Sequence, residues 1–466
     1  MSQPKTKRRE ADLGSDPVGS LLLRLALPTI CAQVVNLLYN IVDRIYIGRI
    51  PGEGAVALTG MGVTFPIITL IAAFASLVGM GGAPRASIFM GEGDHERAVR
   101  TMGTCTLALW ALAAVLTVVF LVFQRPILLL FGASEDTLPY AMQYLNIYVM
   151  GTIFVMTALG LNGFITAQGK SDVAMKTVLI GAVLNVVLDP VFIFVFHMGV
   201  RGAAIATVLS QAVSALWVVR FLVSAKSTLR LERRYLRIDG ELLLPSIGLG
   251  ASPFVMQSTE SLLIVTFNVS LQRYGGDLAV GAMTILTSVA QMIQMPLMGL
   301  AQGAQPILSF NYGAKQPARM RQAIRYNLLV ACVFAFGVWG LVQFAPQLVA
   351  RMFCREAPEL IEMTAWALRI YFAVGFTMAF QNTFQQCFVA LGEAKISLFL
   401  ALERKILLLI PLILILPHFF EDKLFAVFFA EPVADLLAAT TVVVLFAIRF
   451  RQLIRRMEQQ TAAAPD

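Results

Sequence analysis

Three polar residues lie within long apolar stretches of this 466-residue chain, where a charge is costly. Asp43 lies in the stretch QVVNLLYNIVDRIYIG, and Asn185 and Asp189 lie in GAVLNVVLDPVFIF. Carboxylates in such surroundings are rare and are retained mostly for function. The four-residue spacing of Asn185 and Asp189 puts both side chains on one helical face, where an amide and a carboxylate could converge on one cation. The pattern predicts reversible binding of a proton or a small cation.

Each of these residues also has a structural interpretation. Asp43 could reach the lipid headgroups, and Arg44 is not its partner because adjacent helical residues do not face each other. Asp189 could satisfy backbone groups at the break that Pro190 makes in the helix. The same break frees a carbonyl oxygen as a further ligand for an ion. We favour the functional interpretation for Asp43 and Asp189.

The second half of the chain carries further ionisable residues in apolar stretches. The presence of Glu260 in an apolar stretch is explained equally well by hydrogen bonds to Ser258 or Ser261 and by a coupling role. Glu431 and Asp435 are again four residues apart, and Glu431 precedes a proline, which favours a structural role. We expect three consecutive residues to neutralise one another: Glu403, Arg404 and Lys405.

Other kinds of chemistry have no support in the sequence. The cysteines are scattered without metal-ligand spacing, and their odd number argues against a disulfide framework; they are Cys31, Cys105, Cys332, Cys354 and Cys387. The three histidines are equally dispersed. The glycine-rich GMGGAP at Gly79 does not follow a strand, and no GxxxxGK[ST] motif occurs. We expect no enzyme activity, no cofactor and no metal beyond a possible Na⁺ at the coupling residues.

The elements that must position these residues are membrane-spanning helices. The chain is 58% hydrophobic and 14% charged, about half the charge of a soluble protein. Apolar runs of roughly 20 residues have the length that crosses a bilayer as a helix. Twelve such runs predict an all-α polytopic membrane protein: 21–48, 55–82, 99–123, 138–162, 173–196, 200–223, 244–271, 278–305, 321–345, 360–391, 396–418 and 424–448.

The placement of basic residues predicts the orientation of the chain. With the amino terminus inside, 25 of the 36 Lys and Arg residues fall in segments on the inner side. This asymmetry is the positive-inside rule, so both termini are predicted to be cytoplasmic in a multi-pass protein of the cell (inner) membrane. The predicted cytoplasmic segments are 1–20, the basic linker 224–243 and the tail 449–466. The net charge of +8 is therefore explained without nucleic acid as a partner.

The chain also contains an internal repeat. Pro84, Ser87, Gly91 and Arg97 recur 222 positions later; the repeated residues are Pro306, Ser309, Gly313 and Arg319. Six helices in each half place the repeats in parallel about an axis along the membrane normal. We therefore predict an amino lobe (21–223) and a carboxy lobe (244–448) that face a central cavity and rock to give alternating access.

Methionines are a second candidate feature of that cavity. The chain has 20 of them, and flexible thioethers suit the binding of varied apolar ligands. Several lie on the eighth run, at Met283, Met292, Met295 and Met298. For any single methionine, packing in the core or against lipid is the simpler explanation.

The sequence resembles the multidrug and toxic compound extrusion (MATE) family from about residue 20 to 450, and most closely its bacterial multidrug-efflux branches. The resemblance lies in the segments NIVDRIYIG, GLNGFITAQGKSDVAM, LNVVLDPVFIF, GVRGAAIATVLSQ, GLAQGAQPILSFNYGAK and AEPVADLLAA. It implies a V-shaped, twelve-helix, two-lobe fold and antiport of cationic drugs against H⁺ or Na⁺. It also implies a cation-coupling site in the amino lobe formed by Asp43, Asn185, Asp189 and Thr207.

The resemblance further implies secondary residues of a substrate cavity. We assign this role to Asn162, Glu260, Asn40 and Gln381. Some sodium-driven members pair the carboxylate that Glu260 resembles with an acidic residue on the tenth helix, where this chain has Phe380 and Gln381. This difference moves the predicted coupling site to the amino lobe.

Two other classes of membrane protein remain as alternatives. A flippase for lipid-linked saccharides or other lipid precursors would need basic groups deep in the spans to engage phosphates, and these are scarce. An ion channel or a scaffold would not need two matched lobes with buried acids. The expected partners are small organic cations and membrane lipids, and the protein is expected to be a monomer.

Overall fold

The computed structural model describes residues 11–51, 54–353 and 358–462, and these residues form helices with no β-strand. The basic residues at 5–9, Cys354 and Arg355 lie outside the described residues. The helices are α1 (Val18–Gly48), α2 (Gly54–Gly91), α3 (His95–Leu130), α4 (Leu138–Met150), α5 (Thr152–Ala167), α6 (Ser171–Pro190), α7 (Gly199–Val223), α8 (Gly240–Ser258), α9 (Glu260–Gly313), α10 (Pro317–Phe344), α11 (Pro346–Phe353), α12 (Pro358–Tyr371), α13 (Met378–Ala390), α14 (Ala394–Leu402), α15 (Ile410–Ile415) and α16 (Lys423–Ala462).

Twelve spans follow from these helices, which confirms the predicted fold class. Among the described residues, eight helices are long and apolar enough to cross a membrane, and the bent pairs α4–α5 and α12–α13 form one further span each. The stretch Gly240–Gly313 counts among the eight, but Gly276 divides it into the seventh and eighth spans, with a non-helical φ of 61°. The segment from α14 through α15 is the remaining span.

The observed helices extend beyond the predicted spans at several ends. Helix α16 continues to Ala462, through most of the predicted tail, and α8 begins at Gly240, within the predicted linker. Hydropathy marks only the part of a helix that crosses the apolar layer. Polar residues continue the backbone hydrogen bonds of the helix outside that layer equally well.

The two halves share the same irregularities. The fourth span bends by 58° between α4 and α5, and the tenth by 53° between α12 and α13. The fifth span continues from α6 into a π-helical turn, Val191–Val195, and the eleventh contains a longer one, Glu403–Leu409. Such turns often mark functional positions in helices. The correspondence extends the sequence repeat to the level of backbone geometry.

The apolar core is divided between the two halves, and α1 contributes to both parts. The beginning of α1, from Val18 to Ala26, packs into a cluster formed by the carboxy lobe, whereas Ile47 near its end packs into the amino-lobe cluster. Helix α1 therefore connects the lobes.

Glycines bring the backbones of the two lobes into direct contact. A Cβ atom on Gly250 would lie 1.7 Å from the Leu77 carbonyl oxygen, and one on Gly81 would lie 1.9 Å from that of Ser246. Other contacts of this kind join α2 to α9 and α1 to α9; they involve Gly91, Gly299, Gly303 and Gly313. Small residues permit this approach of membrane helices. These contacts lie in the half of the spans that carries the amino terminus.

The segment before α1, residues 11–17, forms an amino-terminal strap between the lobes. Its Leu13 carbonyl oxygen accepts from Asn311 Nδ2 at 3.0 Å and from the Arg319 guanidinium at 3.1 Å, and Arg319 also donates to Asp16 O at 2.7 Å. The Leu13 side chain approaches Gly169 of the amino lobe. The strap thus contacts both lobes at the face where they meet.

Gly250→Ala tests the backbone contact between α8 and α2. Since the added methyl group collides with a carbonyl oxygen, the helices must separate, and overpacking of this kind costs about 1–3 kcal/mol. We expect the melting temperature of the purified protein in detergent to fall by several degrees. Gly337→Ala in α10 is the matched control, because a Cβ there meets nothing within 4 Å. Equal melting temperatures for the two variants would contradict the contact.

Candidate functional site

The structure brings the four predicted coupling residues together from three helices of the amino lobe. Asp43 on α1, Asn185 and Asp189 on α6, and Thr207 on α7 are all buried, with no more than 3% of each residue exposed. Asn185 Nδ2 donates to Asp189 Oδ1 at 3.3 Å and to Thr207 Oγ1 at 3.2 Å. The four-residue spacing on α6 therefore holds the amide and the carboxylate on one face, as predicted.

Asp43 and Asp189 form a carboxyl pair: their side chains are within hydrogen-bonding distance of each other. Asp43 Oδ1, Asp189 Oδ2 and Asn185 Oδ1 are buried and accept no hydrogen bond from a described donor. Two touching carboxylates repel each other strongly in a medium of low dielectric constant. The pair therefore requires a shared proton or a cation, and the unpartnered oxygens are suitable ligands for either.

Arg44 does not neutralise the carboxyl pair directly. Its guanidinium carbon lies 5.2 Å from the centre of the Phe65 ring, a cation–π contact on another side of α1. Adjacent residues on a helix point in directions about 100° apart, which explains why Arg44 and Asp43 face different neighbours.

Tyrosines of α4 complete the surroundings of the carboxyl pair. Tyr144 and Tyr148 are buried, their ring centres are 6.0 Å apart, and the Tyr144 side chain lies close to that of Thr207. Sequence reasoning missed these residues. The signal was present in YAMQYLNIY, where the tyrosines recur every four residues and so share one helical face.

The site opens onto a cavity of about 440 Å³ between the lobes. Asn185 and Thr207 line it, as does Asn162, whose Nδ2 donates to Ala174 O while its Oδ1 accepts no bond from a described donor. The described lining residues include no Asp, Glu, Lys or Arg. Four methionines also line the cavity: Met80, Met175, Met295 and Met298.

Polar contacts between the lobes cross this cavity. Gln33 Nε2 donates to Gln302 Oε1 at 2.9 Å, and Gln257 Nε2 donates to Ser76 Oγ at 2.8 Å. The wall combines apolar groups with hydroxyls and eight amide side chains among the described residues, and a volume of several hundred Å³ is typical of small-molecule sites. Of the eighth-run methionines considered from the sequence, Met283 is instead buried in the core and Met292 is exposed.

The other predicted cavity residues lie elsewhere. Asn40 is exposed on α1, where its Nδ2 donates to Asn36 O, and it is not among the described residues that line the cavity. Gln381 lines a smaller pocket of about 50 Å³ in the carboxy lobe, and its Nε2 donates to Asp435 O at 2.9 Å. Glu260 lies beside that pocket.

One prediction for the carboxy lobe is wrong, and one of the two interpretations left open for Glu260 does not hold. Arg404 does not pair with its neighbours but binds Glu431 at 3.0 Å and Asp435 at 2.7 Å on α16. Lys405 binds Glu260 Oε2 at 2.5 Å, so Glu260 is held by an ammonium group rather than by Ser258 or Ser261. Consecutive side chains in a helical turn point in different directions and reach different partners.

Comparisons with known proteins agree with this arrangement. The MatE family model matches residues 28–191 and again residues 253–415. The multidrug export protein MepA of Staphylococcus haemolyticus is 23% identical over 420 residues, which cover 90% of this chain and 91% of that protein.

Two solved structures extend the comparison. The MATE multidrug transporter DinF-BH is 36% identical, with a TM-score of 0.87 and coverage of 96% of this chain and 99% of that one. A multidrug resistance MATE family transporter in an outward-facing conformation shares the fold at a TM-score of 0.88 and 23% identity, with coverage of 96% and 99%. With matches to both halves and to the full length of these relatives, the chain belongs to the MatE family of membrane transporters.

Proposed function

We propose that this protein is a secondary active antiporter that exports varied organic cations in exchange for a cation bound at the Asp43–Asp189 carboxyl pair. The observation that carries the proposal is the direct contact of two buried carboxyl groups. Since the pair needs one positive charge, it can bind an ion in one state and release it in another.

The cavity explains how the exported molecule would be linked to that ion. Its lining combines amides, hydroxyls and thioethers without a formal charge among the described residues, which suits apolar cations of different shapes. A cation in the cavity is then attracted by the charge of the carboxyl pair, which lies behind Asn185 and Thr207 in the cavity wall. A substrate cation and the coupling ion compete for one charge, and this competition is the basis of exchange.

Of the two candidate ions, the contact geometry favours H⁺. A proton shared between the Asp43 and Asp189 carboxyls needs no separation of the side chains, whereas Na⁺ requires several oxygens arranged around it. The named relatives are multidrug export proteins and a multidrug transporter, which agrees with organic cations as substrates. We further propose that the protein acts as a monomer in the cell (inner) membrane with both termini in the cytoplasm.

The flippase alternative is not favoured by the cavity. A phosphate-bearing lipid precursor would need cationic groups in the wall, and the described lining residues include none. Arg404 and Lys405 lie in the carboxy lobe and are engaged by carboxylates.

Removing either charge of the carboxyl pair should abolish export. We expect Asp43→Asn and Asp189→Asn each to lose efflux of a fluorescent organic cation from a bacterium that lacks its own pumps, while the protein remains folded in the membrane. Asp172→Asn is the matched control, because Asp172 is an exposed carboxylate on the same helix as Asp189 and should leave efflux unchanged. Full efflux by either pair variant would exclude this site as the coupling site.

An imposed gradient identifies the coupling ion. In proteoliposomes we expect uptake of the fluorescent cation to follow a pH gradient and to ignore a Na⁺ gradient. Dependence on Na⁺ alone would overturn the preference for H⁺. No transport under either gradient would favour the flippase function over drug export.

Thr207 should matter through its hydroxyl group. Thr207→Val keeps the shape but removes one of the two acceptors of the Asn185 amide, and an unsatisfied buried group costs about 1–3 kcal/mol. We expect efflux to fall severalfold in this variant and to be largely retained in Thr207→Ser, which keeps the hydroxyl. The efflux rates of the two variants, compared at equal membrane abundance, provide the test; equal losses would indicate a packing role only.

A further inference from the structure

The carboxy lobe contains a carboxylate whose positive partner belongs to the chain itself. Lys405 Nζ lies 2.5 Å from Glu260 Oε2 and 2.6 Å from the carbonyl oxygen of Met256. The Lys405 side chain is 7% exposed, whereas that of Glu260 is 52% exposed. A carboxylate oxygen and a main-chain carbonyl oxygen thus bind the buried Lys405 ammonium group, and the Glu260 side chain beside it is exposed.

The helices that build this contact correspond to those that build the carboxyl pair. The family model matches both halves, so the seventh span corresponds to the first and the eleventh to the fifth. In the amino lobe, the first and fifth spans supply Asp43 and Asp189. In the carboxy lobe, the seventh span supplies Glu260 and the eleventh supplies Lys405. The first and fifth spans therefore bring two acids together, whereas the corresponding seventh and eleventh spans bring together an acid and a base.

Local backbone geometry directs Lys405 towards Glu260. Helix α14 ends at Leu402, and the π-helical turn Glu403–Leu409 follows. Within it, Arg404 turns to Glu431 and Asp435, while Glu403 accepts from Thr441 at 2.7 Å. Arg404 is therefore engaged by two buried carboxylates, and Lys405 is the one described cation that is ion-paired with Glu260.

We infer that the Lys405 ammonium is a tethered cation that fills a monovalent-cation site formed by Glu260 and the Met256 carbonyl, and so confines the exchangeable ion to the amino lobe. The statement about exchange rests on the proposed antiport, whereas the statement about the site does not. Further oxygen ligands are at hand in the adjoining pocket of about 50 Å³, which includes Gln386, whose Oε1 accepts no bond from a described donor.

A purely structural ion pair is the competing explanation. It would tie the seventh span to the eleventh, and removal of the ammonium would weaken the protein without creating affinity for an ion. A filled cation site behaves differently, because removal of the ammonium leaves an accessible carboxylate and a carbonyl that a free cation can occupy. Binding by the ammonium-free variant therefore distinguishes the two.

The test uses purified full-length protein that carries both Asp43→Asn and Asp189→Asn, so that the carboxyl pair no longer contributes a binding charge. Melting temperature is measured at pH 8 as NaCl replaces N-methylglucamine chloride at constant ionic strength. Lys405→Met should show a saturable rise in melting temperature with Na⁺, because a ligand that binds only the folded state stabilises it. The parent protein, Lys405→Arg and the double variant Lys405→Met/Glu260→Gln should show none.

Two results would overturn the inference. One is a folded Lys405→Met protein without a Na⁺-dependent shift; Lys405→Gln, which keeps a donor for the Met256 carbonyl, is measured beside it in case the Met variant does not fold. The other is loss of export by Glu260→Gln/Lys405→Met with Asp43 and Asp189 intact, since a pair that releases no ion is dispensable for exchange. A Na⁺ shift that depends on Glu260, in a protein that fails to antiport, would refute the proposed function and leave the site standing.

Discussion

A carboxylate inside a membrane protein must meet a proton or a positive charge, because little water is present to solvate it. The two lobes satisfy this requirement in different ways. Asp43 and Asp189 meet each other, so a mobile partner has to bring the charge. Glu260 meets Lys405, and Glu431 and Asp435 share Arg404, so the chain itself supplies two positive charges for these three acids. In the proposed exchange, the charge that leaves is the one held by Asp43 and Asp189.

The contact between the lobes limits how they can separate. Glycines bring backbone against backbone, with a Gly303 Cβ position 2.4 Å from the Ala26 Cα atom, and such surfaces cannot slide or loosen gradually. Separation has to break the contacts of α1, α2, α8 and α9 together. The strap adds the Arg319 hydrogen bonds to Leu13 and Asp16 on the same face. This construction favours two discrete arrangements of the lobes over a continuum.

Hydropathy and the repeat were sufficient to predict the fold. Membrane helices must satisfy their own backbone hydrogen bonds, so they are recognisable in the sequence as long apolar runs. The spacing of Asn185 and Asp189 was also readable, since it is local to one helix. The contact of Asp43 with Asp189 joins residues far apart in sequence, and only the family resemblance indicated it. No local rule could predict that Arg404 would reach α16 while Lys405 reached Glu260, because a π-helical turn and the packing of three helices decide those directions.

The described residues that line the cavity carry no formal charge, and the proposed exchange gives this neutrality a role. In the proposed exchange, an organic cation in the cavity is attracted by the charge behind Asn185 and Thr207, since the described lining residues carry none. A proton that binds the pair lowers its negative charge from two to one, which weakens this attraction and favours release of the cation. Loss of a proton restores it. A charged cavity wall would hold the cation in both states, so neutrality of the wall is as necessary to coupling as the acids themselves.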